Sequence, residues 1–275
     1  MSPAPRVAVV GHTEWVELAV VPHVPRPGEI VEATEAFRRP GGGGAVAAVQ
    51  LRRMAGEALF LTALGIDRAG ELSRRDLRDR YGVEVHAATR VVPQRRAFSH
   101  LDALAERTIT VVGERIVPHG DDDLPWERLA EIDAVYFTGG DAEALRRTRA
   151  ARIVVATPRA RDALVTAGVA IDVLVASGND ACEAIDDLVA ELVVLTEGAL
   201  GGRWIAADGA SGRYEPVALP GPPVDAFGCG DSFAAGLTYA LGAGLARDDA
   251  LRFAATCGAW CLTGRGPYGA DVPRL

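Results

Sequence analysis

The chain has 275 residues, a formal charge of −8 and 49% hydrophobic residues, enough for one large folded domain with a sizeable core. The acidic balance, with no basic cluster interleaved with aromatics, argues against a nucleic-acid surface, and no apolar run reaches membrane-spanning length. All 29 basic side chains are arginine, which excludes a Schiff-base lysine and a Walker-type phosphate loop with its lysine.

Short Val/Ala/Ile/Leu runs predict buried strands over 6–11, 58–64, 134–138, 153–156, 173–176 and 193–196. Helical periodicity falls between and after them, over 45–54, 68–81, 142–151, 159–167, 180–188, 232–241 and 247–263. That alternation is the pattern of a parallel sheet with crossover helices. Two stretches break it: 15–21 with 30–37, and 96–104 with 107–112, read as polar ribbons standing off the main sheet. A ribbon beside an α/β core suggests a lid that excludes water, here about 12–38 and 92–118 of a single domain spanning 1–275. Four scattered cysteines (Cys182, Cys229, Cys257 and Cys261) and the lack of a charged-then-apolar leader suggest a cytoplasmic protein.

Four motifs carry the chemistry. Gly41-Gly42-Gly43-Gly44 precedes the first long helix; four glycines are costly to order, so they mark either close approach of backbone to a ligand or a hinge. Asp180 and Glu183 share one face of an expected helix start, where they either answer the helix dipole or hold the water shell of Mg²⁺. Thr196, Gly198 and Gly201 follow an apolar strand, beyond whose carboxyl end a nucleotide could approach; the alternative is a plain hairpin turn. Asp225-Ala226-Phe227-Gly228-Cys229-Gly230-Asp231 leads into an Ala/Gly-rich helix. Glycines there let unpaired N–H groups converge as an anion site, and an acid beside such a site suggests phosphoryl transfer with Asp231 as general base. The competing reading is that Asp231 merely caps the helix.

The order of these pieces resembles the PfkB, or ribokinase-like, family of small-molecule kinases over nearly the whole chain. The diglycine stretch with Ala45, Ala48 and Met54 is similar to the family's first signature, with Pro27-Gly28-Glu29 upstream. Asp225-x-x-Gly228-x-Gly230-Asp231 is similar to its second, with Cys229 where Ala is common and Ala226 where Thr is common. Asp180-x-x-Glu183 resembles the Asn-x-x-Glu element, and Thr196-x-Gly198-x-x-Gly201 the nucleotide loop. The resemblance implies a three-layer α/β/α sandwich with a mostly parallel central sheet and a small β-lid. It implies transfer of the γ-phosphoryl group of ATP to a hydroxyl of a sugar or sugar-like acceptor. Asp231 would be the base, and the Gly228, Cys229 and Gly230 amides the anion hole. Thr196, Gly198, Gly201 and Asp180 would line the nucleotide site, and Glu183 would hold Mg²⁺ through water. The loop from Asp225 would hold a monovalent cation such as K⁺, and Gly42 and Gly43 would border the acceptor.

Departures fall at the acceptor. Sugar-specific members carry an Asp where this chain has Val16 and an Asn where it has Val46, so two hydrogen-bonding groups have become apolar. Glu14, two residues before Val16, could supply the missing carboxylate, and Trp15, Arg96 and Arg107 of the lid could reach the acceptor. Weak activity on plain ribose follows from that reading. A nucleoside kinase, if the valines make room for a base, and a non-catalytic sugar- or nucleotide-binding regulator are the alternatives. No nucleic acid or membrane partner is expected, and a homodimer through the lid is compatible with the pattern.

Overall fold

A computed structural model describes residues 4–103 and 105–275. The first strand, β1 (Val7–Val10), is followed by two strands that leave the main sheet, β2 (Glu14–Val20) and β3 (Glu35–Gly41), and then by helix α1 (Gly43–Ala55). Next come β4 (Leu59–Gly65), α2 (Arg68–Arg75), β5 (Glu84–Arg90), β6 (Arg96–Leu101) and β7 (Arg107–Val112). The second half runs β8 (Ala134–Phe137), α3 (Ala142–Thr148), β9 (Ile153–Ala156), α4 (Arg161–Ala167), β10 (Val173–Ser177) and β11 (Leu192–Thr196). It closes with β12 (Gly202–Ala206), β13 (Ser211–Tyr214), α5 (Cys229–Gly242) and α6 (Arg247–Leu262).

Nine strands form one sheet in the order β13-β12-β11-β10-β9-β8-β1-β4-β5, with every neighbouring pair parallel except β11–β12 and β12–β13, so that β12 alone runs the other way. Side chains on one face, such as Val9, Phe60 and Val155, pack with Leu51 of α1, Phe233 of α5 and Leu251 of α6. The other face, with Val10, Leu61 and Val135, packs on Leu145 of α3 and Ala163 of α4. Apolar burial on both faces is what makes the strands near-continuous hydrophobic runs. Strand order reverses between β1 and β8: the chain first builds outward through β4 and β5, then returns and builds the other way. Ligands in such sheets bind beyond the carboxyl ends of the strands at this reversal.

The remaining strands form a separate sheet, β3-β2-β6-β7, in which β2 and β6 are parallel and the outer pairs antiparallel. It is fastened to the core by an apolar cluster of Val16, Leu18, Ala97 and Leu101 with Val46 of α1 and Phe227. Ile30 was expected to begin a strand; it is 95% exposed in a loop, and the pairing partner of β2 starts at Glu35. Leu104, expected to end the strand from Arg96, lies outside the described residues.

The helix expected over 180–188 is a single turn, Ala181–Glu183. Asp180 caps it by accepting the Cys182 N–H, while the Glu183 carboxylate turns back to the Ser177 N–H at 2.7 Å and the chain leaves extended at Ala184. The strands β5 and β13 carry no clear apolar signal and were not expected. Cys257 packs against Met54, Sγ to Sδ 3.7 Å, and Cys261 donates to the Phe227 carbonyl, so this pair serves packing.

Candidate active site

At the reversal point β1 is followed by Gly11-His12 and β8 by Thr138, and the start of α1 is pressed against both. A methyl on Gly44 would lie 2.6 Å from the His12 carbonyl oxygen, and one on Gly43 would lie 3.0 Å from Asp231 Oδ1. Close approach therefore explains these glycines: they bring the α1 backbone onto the strand ends and onto the carboxylate.

Asp231 stands in the first turn of α5. Gly228, the residue before that helix, has φ of 84°, and its open side meets Pro267 and Val46, so a side chain is excluded by conformation and by space. The N–H groups of Gly228, Gly230 and Asp231 have no protein partner among the described residues. That of Cys229 makes only a long bond, 3.4 Å, to the Ala226 carbonyl. Space beside Gly230 is open. Unpartnered donors at a helix start attract anions. The Cys229 thiol is pushed well up by its hydrogen bond with Cys261 and by burial, so it stays neutral there.

Burial raises the Asp231 carboxyl to about 6, opposed by the nearby Arg159 and Arg107 guanidiniums and assisted by Glu183 and Glu14. A simple cap would have no reason to be sheltered among these charges. Asp225, fully buried, accepts from the Phe227 N–H at 2.9 Å and the Gly266 N–H at 2.8 Å; it braces the loop that carries Gly228.

Glu14 is largely buried, its Cγ 3.2 Å from the position a Gly42 Cβ would take, and it accepts from Arg95 Nε at 2.8 Å. It stands at the cleft and not on the solvated edge of the small sheet. His12 lies between Glu14 and Asp231: its Nε2 is 3.9 Å from Glu14 Oε1, and its Nδ1 faces Arg115 Nη2 at 2.9 Å. Burial, then the Arg115 charge, lowers the His12 pKa well below 6.5, so the ring is neutral, with Nδ1 as acceptor and the proton on Nε2. Arg107 of β7 stacks on Phe227, 4.9 Å from the ring centroid.

Other expected contacts fall elsewhere. Val46 and Val16 are wholly or almost wholly buried, 0% and 2% exposed, in the cluster beneath the small sheet. Val46 touches the space beside Gly228 and Val16 that beside Gly41, so both valines pack against backbone of the cleft. Trp15 is buried as well. Arg96 is exposed beside Phe98, on the outer face of β6, while Ala97 and Ser99 point inward.

At the far end of the cleft Arg159 joins the two acids of the Asp180-x-x-Glu183 element, at 2.7 Å to Asp180 Oδ2 and 2.6 Å to Glu183 Oε1. Each Glu183 oxygen thus accepts one bond and keeps a lone pair, a donor set that suits a hard cation through water. Thr196 ends β11, and Gly198 opens a short turn with free space beside it. Gly201 has φ of 75° and abuts Pro216, so its glycine serves the β12–β13 hairpin as well. His12, Arg95, Arg115, Thr138 and Arg159 belong to the cleft without having been expected; only the place of His12 and Thr138 after strand ends was a usable signal.

A surface cavity of about 560 Å³, lined by Gly120, Asp122, Trp126 and Arg147 among others, holds none of these groups. Near it the ligand atoms of His119, Asp121 and Asp141 lie within 4.8 Å of one another, and Asp141 Oδ1 caps α3 and accepts from the Gly120 N–H.

The sandwich, the sheltered carboxylate and the open N–H groups are features that a phosphotransferase acting on an alcohol requires, and the family match identifies the chain as one. The chain belongs to the pfkB family of carbohydrate kinases, whose model matches residues 4–154 and 142–274. No curated protein matches it in sequence. Among solved structures it is similar to Arabidopsis thaliana ribokinase complexed with ribose and ATP, at 20% identity and a TM-score of 0.76, over 98% of this chain and 96% of that one. It is similar also to ribokinase from Cryptococcus neoformans in complex with ADP (20%, 0.73, 96% of each chain). Burkholderia thailandensis nucleoside kinase in complex with inosine matches at 17% and 0.73, over 96% and 93%. At these identities the likeness is one of fold. No helix among the described residues is long and apolar enough to cross a membrane.

Proposed function

We propose that the protein is an ATP-dependent kinase that phosphorylates a hydroxyl of a small sugar-like molecule. One observation carries this reading: a carboxylate raised to about 6 stands beside unpartnered N–H groups and against the Gly43 backbone. At neutral pH Asp231 is mostly ionised and takes the proton of the acceptor hydroxyl. The hydroxyl oxygen bonds to the γ-phosphorus as the bond to the β,γ-bridging oxygen breaks, and ADP leaves. The Gly228 and Gly230 N–H groups, with the weakly bonded Cys229 N–H, stabilise charge on the transferring group.

Thr196, Gly198 and Gly201 line the nucleotide side, with Asp180 near its phosphates. Glu183 would hold Mg²⁺ through water, and the ion supplies charge neutralisation at the phosphates when bound. A monovalent cation such as K⁺ at the 225–230 loop would take carbonyl ligands, because both Asp225 oxygens already accept N–H groups. The small sheet acts as a lid over Gly42, Gly43 and Glu14. Its exposed Ile109 and Val111, on the face shared with Ser99 and Ala97, offer an apolar patch to a second copy of the chain, and sedimentation would detect the dimer. A cytoplasmic location suits the ATP requirement and four free thiols.

An ATP-consumption screen over sugars, sugar acids, sugar phosphates, polyols and nucleosides tests the reading. Acceptor-dependent ADP release supports it; release with no class of acceptor, in protein shown to bind ATP, sinks it and favours a regulator.

A further inference from the structure

We propose that the acceptor carries an acidic group, a carboxylate or a phosphate, received by Arg115 and Arg107; the inference rests on the kinase reading above. The charges of the cleft divide into two ends. At the nucleotide end Asp180 and Glu183 are joined by Arg159. At the acceptor end three guanidiniums, Arg95, Arg107 and Arg115, face two carboxylates, Glu14 and Asp231. Glu14 is taken by Arg95, at 2.8 Å. Arg107 and Arg115 have no acidic partner within ion-pair distance among the described residues.

Arg115 is the more telling of the two. It is largely buried, and every acceptor it meets is neutral: the Arg159 carbonyl at 2.5 Å, the Thr138 carbonyl at 2.6 Å and His12 Nδ1 at 2.9 Å. Its Nε is buried with no partner among the described residues. Buried charge is normally paired, and a buried donor left unmet is costly, so a guanidinium kept this way at the cleft, with Glu14 its nearest acidic influence but held by Arg95, is kept for a ligand. His12 does not compensate it, because a neutral ring whose Nδ1 accepts brings no negative charge. Arg107 comes from the opposite wall, on β7, stacked on Phe227 and close enough to Asp231 to oppose its raised pKa. Together the two approach the acceptor from the floor of the cleft and from the small sheet. The same geometry accounts for Val16 and Val46: an acceptor gripped by its charge needs no acid or amide at those positions, which are free to pack.

The test uses the full chain and acceptors in matched sets: five- and six-carbon aldonates and aldose phosphates, each against its neutral alditol. Binding is measured by calorimetry in the presence of ADP, and turnover is measured with ATP. One acid series should bind at least about tenfold more tightly than its neutral counterpart, and the series that wins tells carboxylate from phosphate. Arg107→Gln should weaken that acid by about 10–100-fold, change neutral binding less than about threefold and leave the KM for ATP in place. Arg115→Gln should do the same if thermal melting shows it folded; Arg107→Gln carries the test otherwise. Neither acid series being preferred overturns the proposal, as does a rise confined to the KM for ATP, which would assign the arginines to the nucleotide. Arginine-dependent binding of an acid without turnover would sustain this proposal and sink the kinase reading; turnover of neutral acceptors alone would do the reverse.

Discussion

Gly43→Ala separates the chemistry of the cleft from the stability of the fold. Gly43 opens α1 with a φ that an L-residue tolerates, so alanine should fold normally. Replacing glycine at a compatible helical position stabilises by about 0.4–1 kcal/mol, which for a chain this size raises Tm by roughly 1–3 °C. The added methyl, however, would stand 3.0 Å from Asp231 Oδ1 and 3.7 Å from both His12 Cε1 and Thr138 Oγ1. The carboxylate must give by a few tenths of an ångström. The methyl also takes space at the face where the acceptor hydroxyl meets its base. Misplacements up to 1 Å cost up to about 10²-fold, so we expect kcat/KM for the acceptor to fall by about 10–100-fold. Steady-state kinetics and differential scanning calorimetry on the same preparation read both effects. Unchanged kcat/KM with an unchanged or raised Tm would refute the placement of the reacting hydroxyl between Gly43 and Asp231.

Because burial holds the Asp231 carboxyl near 6, kcat/KM should fall below about pH 6; Arg159→Gln removes the largest opposing charge and should move that limb upward, as a pH–rate series would read. Folded His12 resists protonation while the unfolded chain takes a proton near 6.5, so this group costs stability as pH falls below that value. Asp231 acts in the opposite sense between about 4 and 6, so the check is the difference between the native chain and His12→Asn in how the unfolding free energy from urea melts changes with pH over 5.5–7.5. Gly228→Ala must adopt φ of 84° against Pro267 and should lose about 1–3 kcal/mol in denaturant titration together with activity. Val16→Asp places an acid at a position packed under the small sheet; it should lower Tm by roughly 5–10 °C by burying a charge and confer no ribose kinase activity.

What the sequence disclosed follows from how each residue does its work. Gly43, Gly44 and Gly228 were legible because backbone contact or φ leaves no alternative residue, and the acid after Gly230 is meaningful only beside open N–H groups. The parallel sheet was legible because burial on two faces leaves unbroken apolar runs. The strands β5 and β13 were not, since each lies toward a sheet edge with half-exposed side chains. Residues 180–188 carry helical spacing, yet the Glu183 carboxylate is better satisfied by Ser177 N–H and Arg159 than by a helix face. Arg95, Arg115 and Arg159 were hidden among 29 arginines, because each enters the cleft from a different connection. Val16 and Val46 looked like altered contacts; sequence records that a polar group is lost but not whether the position still faces a ligand.

The most direct measurement is turnover by Asp231→Asn, with ATP binding followed by calorimetry on the same sample. The substitution keeps the shape of the side chain and removes its basicity. Retained nucleotide affinity with kcat lowered by about 10²–10⁴-fold is the predicted result. Near-normal turnover with a confirmed acceptor would contradict the assignment of Asp231 as the base.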